Sequence, residues 1–233
     1  MDKIESARPV AQQVYETIRD AICLGDFVSG ERLAEETLAR RLDVSRQPVH
    51  QALLQLHREG FLHETGRRGL VVAPVNIETA LHVYDLRAAL DATAAGHAAR
   101  LASGRERRQG ERILMAGRRA VQARDIPAMI QADFCFHRYI YELSGNPLIE
   151  SVATMNWHHV RRVATALSSR LLCLAPLWQE HEDILGAILT GDADAASALA
   201  RAHVEASIRM MRSFGNDPFT LPAGVGCPSG ESA

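Results

Sequence analysis

Asp133 and His137, inside the stretch DFCFH at residues 133–137, stand four positions apart. On a helix two such side chains leave one face only about 40° out of register, the geometry of a two-point grip on a metal ion. Two further histidines stand singly in late helical segments, His181 in WQEHEDILGAIL and His203 in ALARAHVEASI. Three neutral imidazoles and one carboxylate from different helices can close on a divalent ion inside a bundle, leaving positions open for water or a ligand. Such donors suit Zn²⁺, Ni²⁺ or Mn²⁺ alike. From the residues alone three readings stand: an enzyme's metal site, a sensor's ligand site, or core histidines with ordinary partners. The enzyme reading lacks its partners, because there is no HExxH or nucleophile elbow, and Glu180 and Glu182 face away from His181 on a shared helix. Spacing cannot bring distant helices together, so the set of four is an expectation for the tertiary structure to test.

The elements that must position these residues follow from periodicity. Apolar residues from Pro9 to Leu24 recur at helical spacing and stop at Gly25. Short helices are expected over 35–42 and 46–58, joined by the turn LDVS, and two apolar stretches, 61–62 and 70–72, flank a Gly-containing turn as a β-hairpin. Pro74 breaks the pattern. Beyond it helices are expected over about 77–101, 105–123, 126–144, 147–172, 176–190 and 193–213. The expected architecture is mostly α: a winged helix-turn-helix domain over 1–75, an all-α bundle of six helices over 76–214, and a Gly, Pro and Ser-rich flexible tail over 215–233.

At 233 residues and 47% hydrophobic the chain has material for a real core. Its net charge of −2 gives no global sign of a polyanion binder, so nucleic-acid binding must rest on a local patch. Residues 1–39 hold 4 Lys/Arg against 8 Asp/Glu, whereas residues 40–72 hold 6 against 3. The four cysteines form no CxxC pair and no apolar run approaches a membrane span, which points to a cytoplasmic, reduced protein with no membrane partner.

In the second short helix Val49, Ala52, Leu53 and Leu56 make one apolar face and leave Arg46, Gln47, His50 and Gln51 outward, with Ser45 as the expected N-cap. Arg pairs with guanine and Gln with adenine at major-groove edges, which suits the N-terminal end of a recognition helix. Arg67 and Arg68, in the hairpin turn, are placed to reach phosphates or a minor groove. The plain alternative is a solvated basic surface on an ordinary helical hairpin. Helix, turn, helix, hairpin and local charge together favour double-stranded DNA.

Residues 24–75 resemble the winged-helix domain of the GntR family of bacterial transcription regulators. The resemblance rests on Gly30 to Leu33, Leu38-Ala39, Val44 to Val49, Ala52-Leu53, Glu59-Gly60 and Arg68-Gly69. Three positions depart from the family pattern: Ser29 replaces a Pro, Asp43 replaces the turn Gly, and His50 replaces an Arg. Asp tolerates the left-handed conformation, so the turn is expected to survive; His50 exchanges a fixed cation for a group mostly neutral at pH 7. Leu54 stands where a polar residue is usual, with extra packing as its expected role.

Residues 77–213 are similar to the all-helical FCD domain of the FadR/VanR branch of that family. The resemblance implies that Asp133, His137, His181 and His203 ligate a divalent metal. It also implies that Arg87, in VYDLRAALD, faces an effector pocket, clamping a small organic acid whose other oxygen meets the metal. The plain alternative is a surface pair between Arg87 and Asp91 at i, i+4. Of Arg161 and Arg162, Arg161 is taken to line the cavity and the other to be solvated. The family implies a homodimer on a pseudo-palindromic operator, a ligand-responsive repressor rather than an enzyme. A metal-free apolar pocket is the alternative within the same architecture. Adjacent His158 and His159 point about 100° apart and are left out, as are His82 and His97; Trp157 and Trp178 are taken as core or interface.

Overall fold

A computed structural model of the chain describes residues 8–66, 69–166 and 175–213. The described part divides at Val75/Asn76 into two units, each with its own core.

In the first unit, α1 (Val10–Leu24) ends at Gly25, whose φ of 87° closes the helix with its N–H on the carbonyls of Ala21 and Ile22. Helices α2 (Glu35–Leu42) and α3 (Arg46–Arg58) follow. Asp43 occupies the left-handed conformation between them, at φ 52°, so it does the work of the usual glycine. Ser45 has the extended backbone of an N-cap, but its side chain makes no capping hydrogen bond. Val49, Ala52, Leu53 and Leu56 are buried with Val14, Ile18 and Ile22 of α1 in one core. Leu54 is exposed, so the extra packing expected of it does not occur within this unit.

The hairpin pairs β1 (Leu62–Glu64) with β2 (Leu70–Val72) antiparallel, Leu62 opposite Val72. β1 begins one residue later than expected: the Phe61 N–H closes the end of α3 on the Leu56 carbonyl, and only the Phe61 carbonyl joins the sheet, accepting the Ala73 N–H. The Gly30–Leu33 loop adds to its edge: Gly30 N–H donates to the Val72 carbonyl, and Leu33 N–H to that of Leu70. Arg67 and Arg68, expected at the tip, lie outside the described residues.

The second unit is helical throughout its described residues. α4 (Ile77–Leu101) is capped by Asn76, which accepts the Thr79 N–H, and runs against α9 (Ala193–Ser213), also touching α6 (Ile126–Leu143), α7 (Pro147–Ala166) and α8 (Ala175–Thr190). Its buried face is a series of alanines, Ala88, Ala92, Ala95 and Ala99 among them, and small side chains let neighbouring helices approach closely. α5 (Arg107–Ala123) does the same with glycine: a methyl group at Gly117 would overlap the Trp178 ring, which fixes that indole against α5. The six expected helices are present. The end assigned to the fourth, 167–172, and the tail over 215–233 fall outside the described residues. No helix among the described residues is long and apolar enough to cross a membrane.

Candidate metal centre and its cavity

Asp133 and His137 lie one turn apart on the inner face of α6; His181 comes from the second turn of α8 and His203 from the middle of α9. Packing of these three helices brings one donor atom from each residue to within 4.8 Å of the others. Asp133 Oδ1 stands 3.5 Å from His137 Nε2 and 3.4 Å from His181 Nε2, and the His181 and His203 Nε2 atoms are 3.3 Å apart. Four ligands about 2.1 Å from one ion form a tetrahedron with edges of about 3.4 Å. Three of the contacts therefore already have the length that coordination requires.

The surroundings decide which lone pairs face inward. His203 Nδ1 is 2.7 Å from the Glu180 carboxylate and His137 Nδ1 is 3.1 Å from Asp91 Oδ2. A carboxylate facing Nδ1 draws the ring proton there and leaves the Nε2 lone pair free toward the centre, the usual support of a metal-bound histidine. His137 Nε2 is buried with no hydrogen-bond partner, which a cation at the centre would supply, and the Nε2 atoms of His181 and His203 face each other across 3.3 Å. Three carboxylates, Asp91, Asp133 and Glu180, touch the imidazoles with one guanidinium, Arg87, among them. The donor set fits a divalent cation in chemistry, spacing and charge.

Electrostatic shifts agree. Burial alone would raise the carboxyl of Asp133, yet His137, Arg87 and His181 outweigh it and hold it well below its ordinary value. Burial, then the neighbouring His203, pushes His181 well down, and His203 is likewise lowered, first by burial. Both imidazoles are thus held in the neutral, ligating form. His137 is the exception: burial and Arg87 oppose its charge, but Asp91 and Asp133 prevail and raise it.

A cavity of about 220 Å³ opens onto Asp133 and His203. Arg87 lines it, sandwiched by Tyr84 and Trp157 at 5.6 and 5.0 Å from the ring centroids. The expected pair with Asp91 exists at 3.3 Å, but it is buried rather than on the surface, and Arg87 Nη2 also reaches Asp133 Oδ2 at 3.6 Å. Neither contact has hydrogen-bond geometry, so Nε and Nη2 are ion-paired with Asp91 and Asp133 without being saturated as donors. Arg161 lines the same cavity. Arg162, expected in solvent, is buried instead, because its position on α7 turns inward. His158 and His159 take no part in the cluster.

Sequence reasoning missed the residues behind the ligands. Glu180 does turn away from its neighbour His181, as helical geometry requires, but that direction points at α9 and so at His203. Tyr141 donates a 2.5 Å hydrogen bond to Asp91, fixing the carboxylate that faces His137. A pair between different helices leaves no periodic signal. Trp157 and Trp178 are buried and also line the cavity, while Phe136 stacks on His181 at 4.2 Å and Phe134 packs on Trp157 at 4.9 Å.

On α3 of the first unit Ser45, Arg46, Gln47, His50 and Gln51 are all exposed on one side. The first residue of α2, Glu35, lies 2.7 Å from His50 Nδ1 and 3.8 Å from Arg46 Nη2. In the absence of DNA a carboxylate thus holds the two outward nitrogen-rich side chains together.

Known proteins agree with both halves. Residues 10–72 match the bacterial regulatory proteins of the gntR family, and residues 82–206 match the FCD domain. The HTH-type transcriptional repressor RspR of Escherichia coli K12 is 24% identical over 221 residues, 94% of this chain and 97% of its own length. An HTH-type regulator of Mycobacterium tuberculosis, Rv0494, is 29% identical over 224 residues, covering 88% and 91%. Among solved structures, E. coli McbR/YncC superposes with a TM-score of 0.74 at 18% identity, over 89% of this chain and 99% of that one. A GntR-type protein from Rhodococcus sp. RHA1 gives 0.73 at 21%, over 87% and 97%. Such low identities carry the fold alone, but the family match spans more than half the chain. A GntR-type helix-turn-helix followed by an FCD domain makes this chain a member of the GntR family of transcriptional regulators, not an enzyme.

Proposed function

We propose that the protein is a ligand-responsive repressor: a cytoplasmic homodimer whose recognition helices, α3, read a pseudo-palindromic DNA operator, and whose second domain senses a small carboxylate beside a divalent metal. The observation that carries this reading is the meeting of Asp133, His203 and the buried guanidinium of Arg87 on one cavity. Asp133, His137, His181 and His203 would hold the metal, which supplies a Lewis-acid point for a carboxylate oxygen. Arg87 supplies the complementary fork. Tyr84 and Trp157 keep that fork oriented and exclude water from its faces.

For regulation the acid must bind the DNA-competent and DNA-incompetent states with different affinity, since equal affinity shifts nothing. Arg46, Gln47, His50 and Gln51, with Ser45 at the helix start, would contact the operator, and Arg67 and Arg68 its backbone. RspR, similar over nearly its whole length, is by name a repressor, which supports the sign.

Metal analysis of the purified chain with operator binding in the presence and absence of small acids tests the reading. About one divalent ion per chain is expected, together with acid-dependent release of DNA. A metal-free protein with acid binding unchanged in His203→Ala would leave the apolar, metal-independent pocket as the better account.

A further inference from the structure

Among the described lining residues, the charged groups gather mainly where the cavity meets the cluster. From Asp133 its wall continues along one face of α6 through Ile130 to Ile126, and from His203 along α9 through Ser207 to Met210. Seven residues of helix rise about 10 Å, so two turns of mainly apolar wall lead away from the metal ligands on both sides. Val160 and Val163 of α7 and Leu177 of α8 add to it. Away from Arg87, Asp133, Glu180 and His203, the described lining offers few polar groups: Arg161, Ser207, the Tyr84 hydroxyl and the indole N–H groups.

We infer that the effector is a monocarboxylate with an apolar body beyond its carboxylate carbon, not a polyhydroxylated acid. The inference rests on the carboxylate reading above and adds the chemistry of the rest of the ligand. The cavity, of about 220 Å³, has room for such a body beyond the carboxylate. A chain carrying several hydroxyls would lose more water than the few polar groups of the described wall can replace. Every methylene gains by leaving water. Met129, Met210 and Met211 on the lining are unbranched and adaptable, which suits a flexible aliphatic chain better than a fixed polar pattern.

The test is a chain-length series, acetate to octanoate, titrated into the Zn²⁺-loaded full-length protein, with gluconate against hexanoate and 1-pentanol against pentanoate. Calorimetry gives the affinities, and Trp157 and Trp178, the chain's two tryptophans, both line the cavity and report occupancy by fluorescence. Affinity is expected to rise about fourfold per methylene from acetate and to level once the cavity is filled. Gluconate should bind at least about tenfold more weakly than hexanoate. Ala164→Leu, which places extra carbons on the lining, should shorten the best chain while leaving acetate unchanged. A flat series, or gluconate tighter than hexanoate, overturns the inference and leaves the carboxylate reading standing. Pentanol equal to pentanoate overturns the carboxylate reading and leaves the apolar body. Failure of every acid and alcohol to bind overturns both.

Discussion

Glu180 Oε2 stands 2.7 Å from His203 Nδ1, while His181, the next residue, presents its Nε2 3.3 Å from the other nitrogen of the same ring. One turn of α8 thus addresses both nitrogens of His203, the carboxylate setting its tautomer and the second imidazole facing its lone pair. Loss of such an outer carboxylate costs a metal site about 10–100-fold in affinity. Glu180→Ala is expected to weaken Zn²⁺ binding by that factor, read by competition with a chelator, with the helical circular dichroism unchanged. Unaltered affinity would remove Glu180 from the site.

Arg87 is buried against Asp91 and Asp133, so its replacement has two effects that need separating. Arg87→Ala leaves both carboxylates without their cation and should destabilise the domain by about 3–5 kcal/mol. Arg87→Lys keeps the charge but loses the planar fork. The lysine variant is expected to fold, retain its metal and bind carboxylates about 10–100-fold more weakly, the worth of a hydrogen bond to a charged group. Wild-type acid affinity in Arg87→Lys would exclude a bidentate clamp.

Arg46 and Arg67 should differ in kind. Arg46→Ala is expected to lose about 1–3 kcal/mol of discrimination between operator and mutated operator. Arg67→Ala should weaken all DNA sequences similarly and lower the salt-dependence slope by about one phosphate contact. Gel-shift titrations at several salt concentrations distinguish them, and normal operator discrimination by Arg46→Ala would move the recognition surface elsewhere.

Tyr15 on α1 donates a 2.6 Å hydrogen bond to Glu59 just beyond α3. Burial, then that hydrogen bond, pushes its hydroxyl up to about 12 from an ordinary 10.0. A raised value means the folded state keeps the proton after the unfolded chain has lost it. The stabilisation is therefore complete below pH about 10 and disappears as pH rises toward about 12. Tyr15→Phe should cost about 1 kcal/mol at pH 8, and its deficit against wild type should shrink through that window. Urea unfolding of both proteins at several pH values measures this; a deficit constant to pH 12 would contradict it.

Much of the architecture was legible before any tertiary contact was known. Helix periodicity, the Gly25 stop and the break at Pro74 are local events, and local chemistry decides them. Asp43 is an example: its tolerance of the left-handed conformation is a property of the residue, and φ there is 52°. Where the reading slipped, a longer-range interaction had won. β1 starts at Leu62 because the Phe61 N–H is taken by α3, and Leu54, given a packing role from its type, stays exposed in its own unit.

The same division holds at the site. Asp133 and His137 announce themselves through i, i+4 spacing, and His181 and His203 through residue type and the family resemblance. Sequence thus determined which helices carry the candidate donor atoms and that the N-terminal unit presents Arg46, Gln47, His50 and Gln51 outward. Only the packing of α4, α6, α8 and α9 decided that Asp91 and Glu180 stand behind His137 and His203, that Tyr141 fixes Asp91, and that Arg87 is buried beside an apolar cavity. The physical reason is range: periodicity is written within one helix, whereas a tautomer, a desolvated charge and the shape of a cavity belong to atoms that meet only when separate helices pack.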